Sequence, residues 1–157
     1  MRFSQRLLDK GWRIAYRVAY PLARCWWRLH GCEGVRIALW CDGKVLAVLH
    51  SYKPGLQLPA GGVKRKEPHR MTAVRELREE VGITVAPAQL TLAVSYDSRY
   101  GWVHVYEMHL TDPPAPKIDR REIIHAEFVP PEMIGVEGSG ILRRYLCEHE
   151  RLRKLAA

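Results

Sequence analysis

Residues Leu58 to Ile83 read LPAGGVKRKEPHRMTAVRELREEVGI and predict a glycine turn, a basic loop and then a helix. Pro68 suits the first helical position, because the N–H that proline lacks would have no partner there. Gly82 suits the position after the last turn, where a left-handed backbone is needed. Apolar side chains recur between them every three or four residues and predict one core-facing stripe. They are Met71, Val74, Leu77 and Val81.

The acidic side chains of this predicted helix are crowded. Glu76, Glu79 and Glu80 stand at i, i+3 and i+4, so they share one patch of the helix surface. Like charges at this spacing repel by roughly a few tenths of a kcal/mol per pair. Crowded carboxylates with no lysine among them suit a hard divalent cation, Mg²⁺ or Mn²⁺. The helix alone fits equally a solvated acidic face with Arg75 and Arg78 as ionic partners.

A longer pattern decides between these two interpretations. The segment matches G-x5-E-x7-R-E-U-x-E-E-x-G-U, where U is a bulky aliphatic residue, with no position missing. The matching residues are Gly61, Glu67, Arg75, Glu76, Leu77, Glu79, Glu80, Gly82 and Ile83. This pattern resembles the signature of the Nudix hydrolases, and residues 35–129 resemble a whole Nudix domain in order. The resemblance implies an α/β/α sandwich with a mixed central sheet, here preceded by an N-terminal helical extension.

The resemblance also implies a reaction and a set of site residues. Nudix enzymes cut a phosphoanhydride bond in a nucleoside diphosphate linked to another moiety, using metal-activated water. The implied ligands of Mg²⁺ or Mn²⁺ are Glu79, Glu80, Glu76, Glu67 and the backbone carbonyl of Ala60, which stands where the family usually has glycine. Arg75 matches the arginine that orients these glutamates, and Glu76 either binds metal or helps to activate water.

Three further expectations lie partly or wholly outside the motif. Glu122 precedes a predicted late strand and resembles a family glutamate that serves as general base or extra ligand; a solvated loop acid is the alternative. Gly61 and Gly62 are expected to contact substrate. Tyr100 is also expected to do so, because the subset that cleaves diadenosine polyphosphates carries a tyrosine near this position. The proline typical of ADP-ribose pyrophosphatases is missing from the same segment.

Length and composition place the chain among ordinary globular proteins. Its 157 residues suit one catalytic domain, and 47% hydrophobic with 27% charged residues is typical of such domains. Cys25, Cys32, Cys41 and Cys147 have no zinc-binding spacing, which favours reduced thiols and a cytoplasmic location. Arginines interrupt the N-terminal apolar residues, so neither a signal peptide nor a membrane span is predicted.

Positive charge is concentrated at the N-terminus. Residues 1–30 carry seven Arg or Lys against Asp9, a large part of the net charge of +8. We therefore divide the chain into a basic helical extension, residues 1–30, and a Nudix hydrolase domain, residues 31–157. Helix is predicted over residues 3–29, with a break or kink at Tyr20 caused by Pro21. The extension fits packing on its own domain or a second subunit, an anionic membrane surface, or nucleic acid.

The other predicted elements surround the central helix. Asp42-Gly43 between two apolar runs predicts a hairpin. The predicted strands are Val35–Trp40, Val45–His50, Leu56–Leu58, Leu90–Tyr96, Trp102–Leu110 and Ala126–Val129. A closing helix is predicted from an N-cap at Ser139 to about Lys154.

Two classes of function are compatible with this organisation. The first is a metal-dependent hydrolase of a nucleoside diphosphate derivative. The second is a Nudix-fold binding or regulatory module that the basic extension directs to membrane, nucleic acid or a partner. A degenerate motif would favour the second class. Every acid of the motif is present here, which favours the enzyme.

Overall fold

The computed structural model describes residues 9–22, 32–98 and 101–156, which are built around a six-stranded mixed sheet. The strands are β1 (Gly34–Cys41), β2 (Lys44–His50), β3 (Ala60–Gly62), β4 (Thr91–Ser98), β5 (Gly101–Leu110) and β6 (Ile123–Val129). Their order is β4-β5-β1-β2-β6, and β3 pairs with the first residues of β1. The β1–β5 pair is parallel and the other pairs are antiparallel. The predicted mixed sheet is therefore confirmed.

Helices cover both faces of this sheet. They are α1 (residues 9–22), α2 (His69–Val81), α3 (Pro131–Ile134) and α4 (Gly140–Ala156), with 3₁₀ turns at Pro87–Gln89 and Gly135–Glu137. Successive β1 side chains point to opposite faces. Ile37 and Leu39 join the core under α2, whereas Ala38 and Trp40 join the core under α4. The predicted α/β/α sandwich with an N-terminal helix is confirmed.

The hairpin between β1 and β2 has the predicted turn. Asp42 and Gly43 have φ angles of 49° and 73°, both in the left-handed region. Positive φ at both central residues matches the twist of the flanking strands, which is why Asp-Gly is favoured in this turn. The turn brings Trp40 opposite Val45 in the register of the two strands.

Most strand boundaries lie within two residues of the prediction, and two differences are larger. The predicted strand Leu56–Leu58 contains only isolated bridges, whereas the segment predicted as a glycine turn forms β3. The reason is that β3 gains pairing from β1, with Arg36 opposite Ala60, which local sequence does not reveal. The late strand β6 starts at Ile123, three residues before the predicted Ala126.

Helix α2 ends as predicted but begins one residue later. Pro68 has extended backbone angles, φ −65° and ψ 141°, so it is the N-cap residue and not the first helical residue. Its carbonyl accepts the N–H of Thr72 at 3.0 Å. Gly82 takes the left-handed C-cap conformation, φ 68°, and donates its N–H to the Arg78 carbonyl.

The buried face of α2 is shifted relative to the predicted stripe. Met71 is 47% exposed, whereas Thr72 and Ala73 are fully buried. The inward stripe comprises Ala73, Glu76, Leu77, Glu80 and Val81. The helical period was predicted correctly. The stripe is shifted because two glutamates, a residue type that normally faces solvent, are buried on the inner side.

The described part of the extension, α1, packs on the catalytic domain. Arg13 donates to the Arg120 carbonyl at 2.8 Å, and Arg17 donates to the Ser51 carbonyl at 3.2 Å. Tyr16 stacks on Tyr52 with ring centroids 5.7 Å apart. These contacts agree with a helical extension packed on its own domain.

The predicted break at Tyr20 is absent from residues 9–22, where the helix continues through Pro21 to residue 22. The predictions for residues 1–8 and 23–31, including Trp26, Trp27 and Cys25, lie outside the described residues. Within the described ranges, no helix has the length and apolar character to cross a membrane.

Helix α4 closes the sandwich. The Ser139 side chain accepts the N–H of Leu142 at 3.3 Å, as expected of the predicted N-cap. Leu142 and Tyr145 are buried against the sheet, while Leu152 is 49% exposed. Cys32, Cys41 and Cys147 are free thiols, as predicted.

Candidate active site

Arg75 on α2 gathers the acidic side chains of the motif. Its Nε and Nη2 donate to the two carboxylate oxygens of Glu67, each at 2.9 Å. Its Nη1 donates to Glu76 and, at 3.3 Å, to Glu79. Nη2 also donates to the Gly62 carbonyl at 3.1 Å. One guanidinium thus connects the loop, β3 and the acidic face of the helix.

Glu67 is held as a carboxylate. The Arg75 guanidinium lowers the pKa of Glu67 to about 2, and the backbone N–H of Lys64 and the hydroxyl of Thr72 act in the same direction. Its charge is therefore largely satisfied inside the protein. Glu67 is positioned to support Arg75.

Gly61 on β3 leaves room for the carboxylate of Glu76. A Cβ at Gly61 would overlap the Glu76 carboxyl group, whereas a Cβ at Gly62 would meet no atom within 4 Å. The φ angle of Gly61 is not positive, so its backbone conformation is open to other residues. The requirement for glycine here is therefore steric.

Glu80 is bound from two sides in the interior. The Ala60 N–H donates to its Oε2 at 3.0 Å, and its Oε1 lies 3.2 Å from Nε2 of His50 on β2. Glu80 is 6% exposed and His50 is 3% exposed. Burial lowers the pKa of His50 to about 3, so the imidazole is neutral at physiological pH.

Burial also disfavours the ionised forms of the two inward acids. It raises the pKa of Glu80 to about 8 and that of Glu76 to about 7. Nearby acids add to the effect: Glu122 for Glu80, and Glu79 and Glu80 for Glu76. A cation beside these groups would favour their charged forms.

Glu122 joins this cluster from the loop before β6. A carboxylate oxygen of Glu122, an oxygen of Glu80 and a nitrogen of His50 all lie within 4.8 Å of one another. The Tyr52 hydroxyl donates to Glu122 at 2.7 Å. Glu122 is therefore brought to the acidic side of α2, which the sequence could suggest only through the family resemblance.

Glu79 differs from the other helix acids in its surroundings. Its side chain is 50% exposed, and among the described residues its only hydrogen bond is the one from Arg75. It lies at the solvent-facing edge of the acidic side of α2. Glu76 and Glu80, by contrast, are buried against the sheet, so one of the three neighbouring acids is exposed and two are not.

A cavity of about 520 Å³ opens at these residues, a volume within the usual range for small-molecule sites. Predicted site residues that line it are Ala60, Gly61, Gly62, Glu76 and Glu122. Arg36 of β1 and Tyr20 of α1 line it as well. We call this cavity the cleft. Tyr100, the remaining predicted substrate contact, lies outside the described residues.

A second cavity and a histidine pair lie outside the cleft. A cavity of about 690 Å³ lies beside α4, but its polar groups Trp40, Tyr145 and Glu107 bond to one another at 2.8 Å. Near Glu33, the rings of His69 and His104 stack with centroids 4.3 Å apart and 23° between planes. Ring lone pairs lie in the ring plane, so these two rings would have to rotate before both could bind one ion.

Sequence reasoning missed His50, Tyr52 and Arg36 as members of the site. The spacing of the histidines does not predict a metal ligand, and Tyr52 stands in the loop between two predicted strands. The sequence did offer one indication for each of the other two residues. His50 is a polar residue at the end of the largely apolar strand β2, and Arg36 is a charged residue within the largely apolar strand β1. Without the sheet register, neither could be assigned to the cleft.

The sandwich together with the acidic cleft beside α2 defines a protein of the Nudix fold class. The chain belongs to the Nudix family, because the family model of the NUDIX domain matches residues 33–146. It is accordingly an enzyme of the nucleotide pyrophosphohydrolase type, as the motif predicted. The match includes every acid of the motif and Glu122.

Solved structures with the same fold include three informative relatives. A MutT Nudix hydrolase from Burkholderia pseudomallei has a TM-score of 0.68 and 21% identity, covering 76% of this chain and 98% of its own. A C. elegans Ap4A hydrolase has a TM-score of 0.63 and 19% identity, and the match covers 78% of this chain and 98% of the hydrolase. The NUDIX domain of Shewanella oneidensis NrtR, complexed with ADP ribose, has a TM-score of 0.64 and 18% identity. This match covers 78% of this chain and 88% of the NrtR domain. A search of curated proteins finds no significant match.

Proposed function

We propose that this enzyme uses a divalent cation, Mg²⁺ or Mn²⁺, to hydrolyse the pyrophosphate bond of a nucleoside diphosphate linked to another moiety. The observation that carries the proposal is the convergence of Glu80, Glu122 and His50 within 4.8 Å of one another at the edge of the cleft, which Glu122 lines. A buried acidic cluster of this kind is costly unless a cation or proton neutralises it.

The donor set fits such a cation. Carboxylate oxygens such as those of Glu76 and Glu80 are the hard ligands that Mg²⁺ and Mn²⁺ take, and the neutral imidazole of His50 beside Glu80 is acceptable to Mn²⁺. We propose Glu76, Glu79, Glu80, Glu67 and the Ala60 carbonyl as the holding residues, with Glu67 acting through water or through Arg75. When bound, the cation neutralises phosphoryl charge and lowers the pKa of an attacking water.

The protein's own residues then have separate tasks. Glu122 accepts the proton of the attacking water, and Tyr52 holds its carboxylate in place. Arg75 keeps Glu76 and Glu79 oriented by hydrogen bonds from one guanidinium. The leaving phosphate departs with the oxygen of the broken P–O bond, and water supplies the oxygen that replaces it on phosphorus.

The substrate class is a small nucleotide derivative in which a second group follows the diphosphate. Relatives of the same fold are named for Ap4A hydrolysis and for binding ADP ribose, so both kinds of compound belong in a test. Gly61, Gly62 and Tyr100 remain proposed substrate contacts. We also propose a cytoplasmic location and the division at residue 30, with the extension packing on its own domain or a second subunit in preference to a membrane or nucleic acid.

The reaction is tested by chromatographic detection of the two phosphate-bearing products that hydrolysis of each compound in a nucleotide panel would form. The panel comprises dNTPs, ADP-ribose, diadenosine polyphosphates, nucleotide sugars and capped RNA, each with Mg²⁺ and with Mn²⁺. We expect turnover on at least one class, dependent on the metal and abolished by EDTA. Absence of turnover on every compound would overturn the proposed function.

Divalent metal is also expected to stabilise the protein. Binding at a concentration about 100-fold above Kd contributes about 2.7 kcal/mol, which corresponds to a rise of roughly 5–10 °C in Tm for a chain of this size. Thermal unfolding with and without Mn²⁺ measures this. Glu150→Gln is a matched control, because it removes an exposed acid that pairs with Lys154. An equal lack of response in wild type and control would contradict a built metal site.

Tyr52→Phe tests the position of Glu122. The substitution removes the 2.7 Å hydrogen bond to Glu122 but keeps the ring that packs on Tyr16 and Tyr20. We expect kcat to fall about tenfold, in line with losses at partners of catalytic groups. Tyr96→Phe is the control, since among the described residues its buried hydroxyl has no partner. Equal rates for the two variants would remove Tyr52 from the mechanism.

A further inference from the structure

Arg36 is a buried cation in the cleft without a bonded acid. It lies in β1, opposite Ala60 of β3, and lines the cavity with Glu76 and Glu122. Its Nε and Nη1 are shielded from solvent and have no hydrogen-bond acceptor among the described residues. Nearly all buried polar groups in proteins have such a partner. In the described ranges, the other unpartnered buried side-chain atoms belong to His50, Ser51, Tyr96 and His104, none of them a permanent charge.

None of the groups that act on Arg36 electrostatically accepts a hydrogen bond from its Nε or Nη1. Burial lowers its pKa, and the groups whose charges act on it most are Glu80, Tyr20 and Tyr52. Both carboxylate oxygens of Glu80 are already engaged, one by the Ala60 N–H and the other by His50. The Tyr52 hydroxyl donates its hydrogen bond to Glu122. The free protein therefore keeps a guanidinium with open donors inside its cleft.

An unpaired buried charge costs several kcal/mol, so its presence in a strand core needs a compensating partner. The strand around it is otherwise apolar: Val35, Ile37, Ala38 and Leu39 are fully or almost fully buried. An aliphatic side chain would suit β1 equally well for folding alone. The missing partner is consequently an anion that enters the cleft.

We propose that Arg36 binds a phosphate oxygen of the substrate, forming an anion site next to the metal ligands. The planar guanidinium presents several N–H donors in a fork that matches the oxygens of a phosphate. The same cleft has the volume for a nucleotide fragment. This assignment rests on the proposed function and adds a residue outside the motif to it.

Lys53 adds to the positive side of the cleft and is itself held in place. Its Nζ lies 4.9 Å from the Tyr20 ring centroid and 5.1 Å from that of Tyr52. Lys53 and Arg36 both line the cleft. Lys53 raises the local concentration of anions, whereas Arg36 makes the specific contact.

The test measures binding separately from catalysis. The probe is methylenediphosphonate with Mg²⁺, in which a carbon replaces the bridging oxygen of pyrophosphate and prevents hydrolysis. Titration calorimetry compares wild type, Arg36→Met, Arg36→Lys and Arg151→Met. Arg151 is the matched control, because its side chain is 69% exposed on α4. Thermal unfolding in phosphate-free buffer without metal is recorded for the same four proteins.

We expect Arg36→Met to weaken probe binding at least tenfold and to raise the Tm of the free protein, since it removes an unpartnered charge. Arg36→Lys keeps the charge but lacks the planar, forked guanidinium, so we expect an affinity for the probe between those of wild type and Arg36→Met. Arg151→Met should match wild type in both measurements. Wild-type affinity in Arg36→Met, or a lowered Tm in it, would overturn the anion site.

The proposal and the proposed function fail in different ways. If the enzyme hydrolyses a substrate and Arg36→Met leaves both KM and probe affinity unchanged, the anion site is wrong and the hydrolase stands. If no compound in the panel is hydrolysed but Arg36→Met has a lower affinity for the probe than wild type, the anion site stands and the proposed hydrolase function is wrong.

Discussion

Replacing Glu80 with glutamine is expected to lower turnover at least about a hundredfold, a loss of about 2.7 kcal/mol of transition-state stabilisation. Glu80 is 6% exposed and lies at the point where β2, β3 and the Glu122 loop meet. A neutral amide there cannot balance a divalent cation. It would also present an N–H₂ group towards His50 or Ala60, which disturbs the cluster.

The same variant has a second readout that does not depend on substrate. Removing a buried acid whose ionisation is disfavoured should leave the free protein as stable as wild type or more so, while abolishing the rise in Tm with Mn²⁺. Glu79→Gln should lower turnover in the same direction. Because Glu79 is half exposed and bonded only to Arg75 among the described residues, we expect its effect on metal-dependent stability to be smaller. Unchanged turnover in both variants would contradict the assignment of α2 as the metal platform.

Gly61→Ala is expected to cost at least about a hundredfold in turnover without unfolding the protein. A methyl group at this position would overlap the Glu76 carboxylate, so that carboxylate must leave its place beside Arg75. Displacements of about 1 Å among positioned groups commonly cost two orders of magnitude in rate. The backbone at Gly61 is accessible to alanine, so the fold should survive.

Gly62→Ala provides the matched control for this steric argument. It adds the same methyl group one residue later, where no atom lies within 4 Å. For Gly62→Ala we expect at most a few-fold change in kcat, and any loss of its proposed substrate contact should change KM instead. Both variants should keep a normal far-ultraviolet circular dichroism spectrum. Equal losses of kcat in the two would show that the β3 backbone, and not the space for Glu76, is what matters.

Local sequence was sufficient wherever one segment decides its own conformation. The Asp42-Gly43 turn and the Gly82 C-cap each depend on a positive φ that the residue type permits, and both were predicted correctly. The helical period of α2 was also correct. The stripe was misplaced at Met71 because the prediction put glutamates outside, whereas the cleft draws Glu76 and Glu80 inward.

Segments that depend on distant partners were harder to predict. The strand β3 contains two glycines and reads as a turn, yet pairing with Gly34–Arg36 makes it a strand. Helix α1 continues through Pro21, against the local expectation, and its contacts with Ser51 and Arg120 hold it on the domain. In each case the stabilising contact comes from far along the chain.

The amino-acid sequence alone determined the family and the class of reaction, since the motif from Gly61 to Ile83 places its acids by helical spacing within one short segment. It also pointed to Glu122 through resemblance. Only the tertiary structure decided that Tyr52 and Arg36 line one cleft, that His50 contacts Glu80, and that two of the helix acids are buried while Glu79 is not. The physical reason is that strand register and burial are set by contacts between segments far apart in the chain, whereas helical spacing is local.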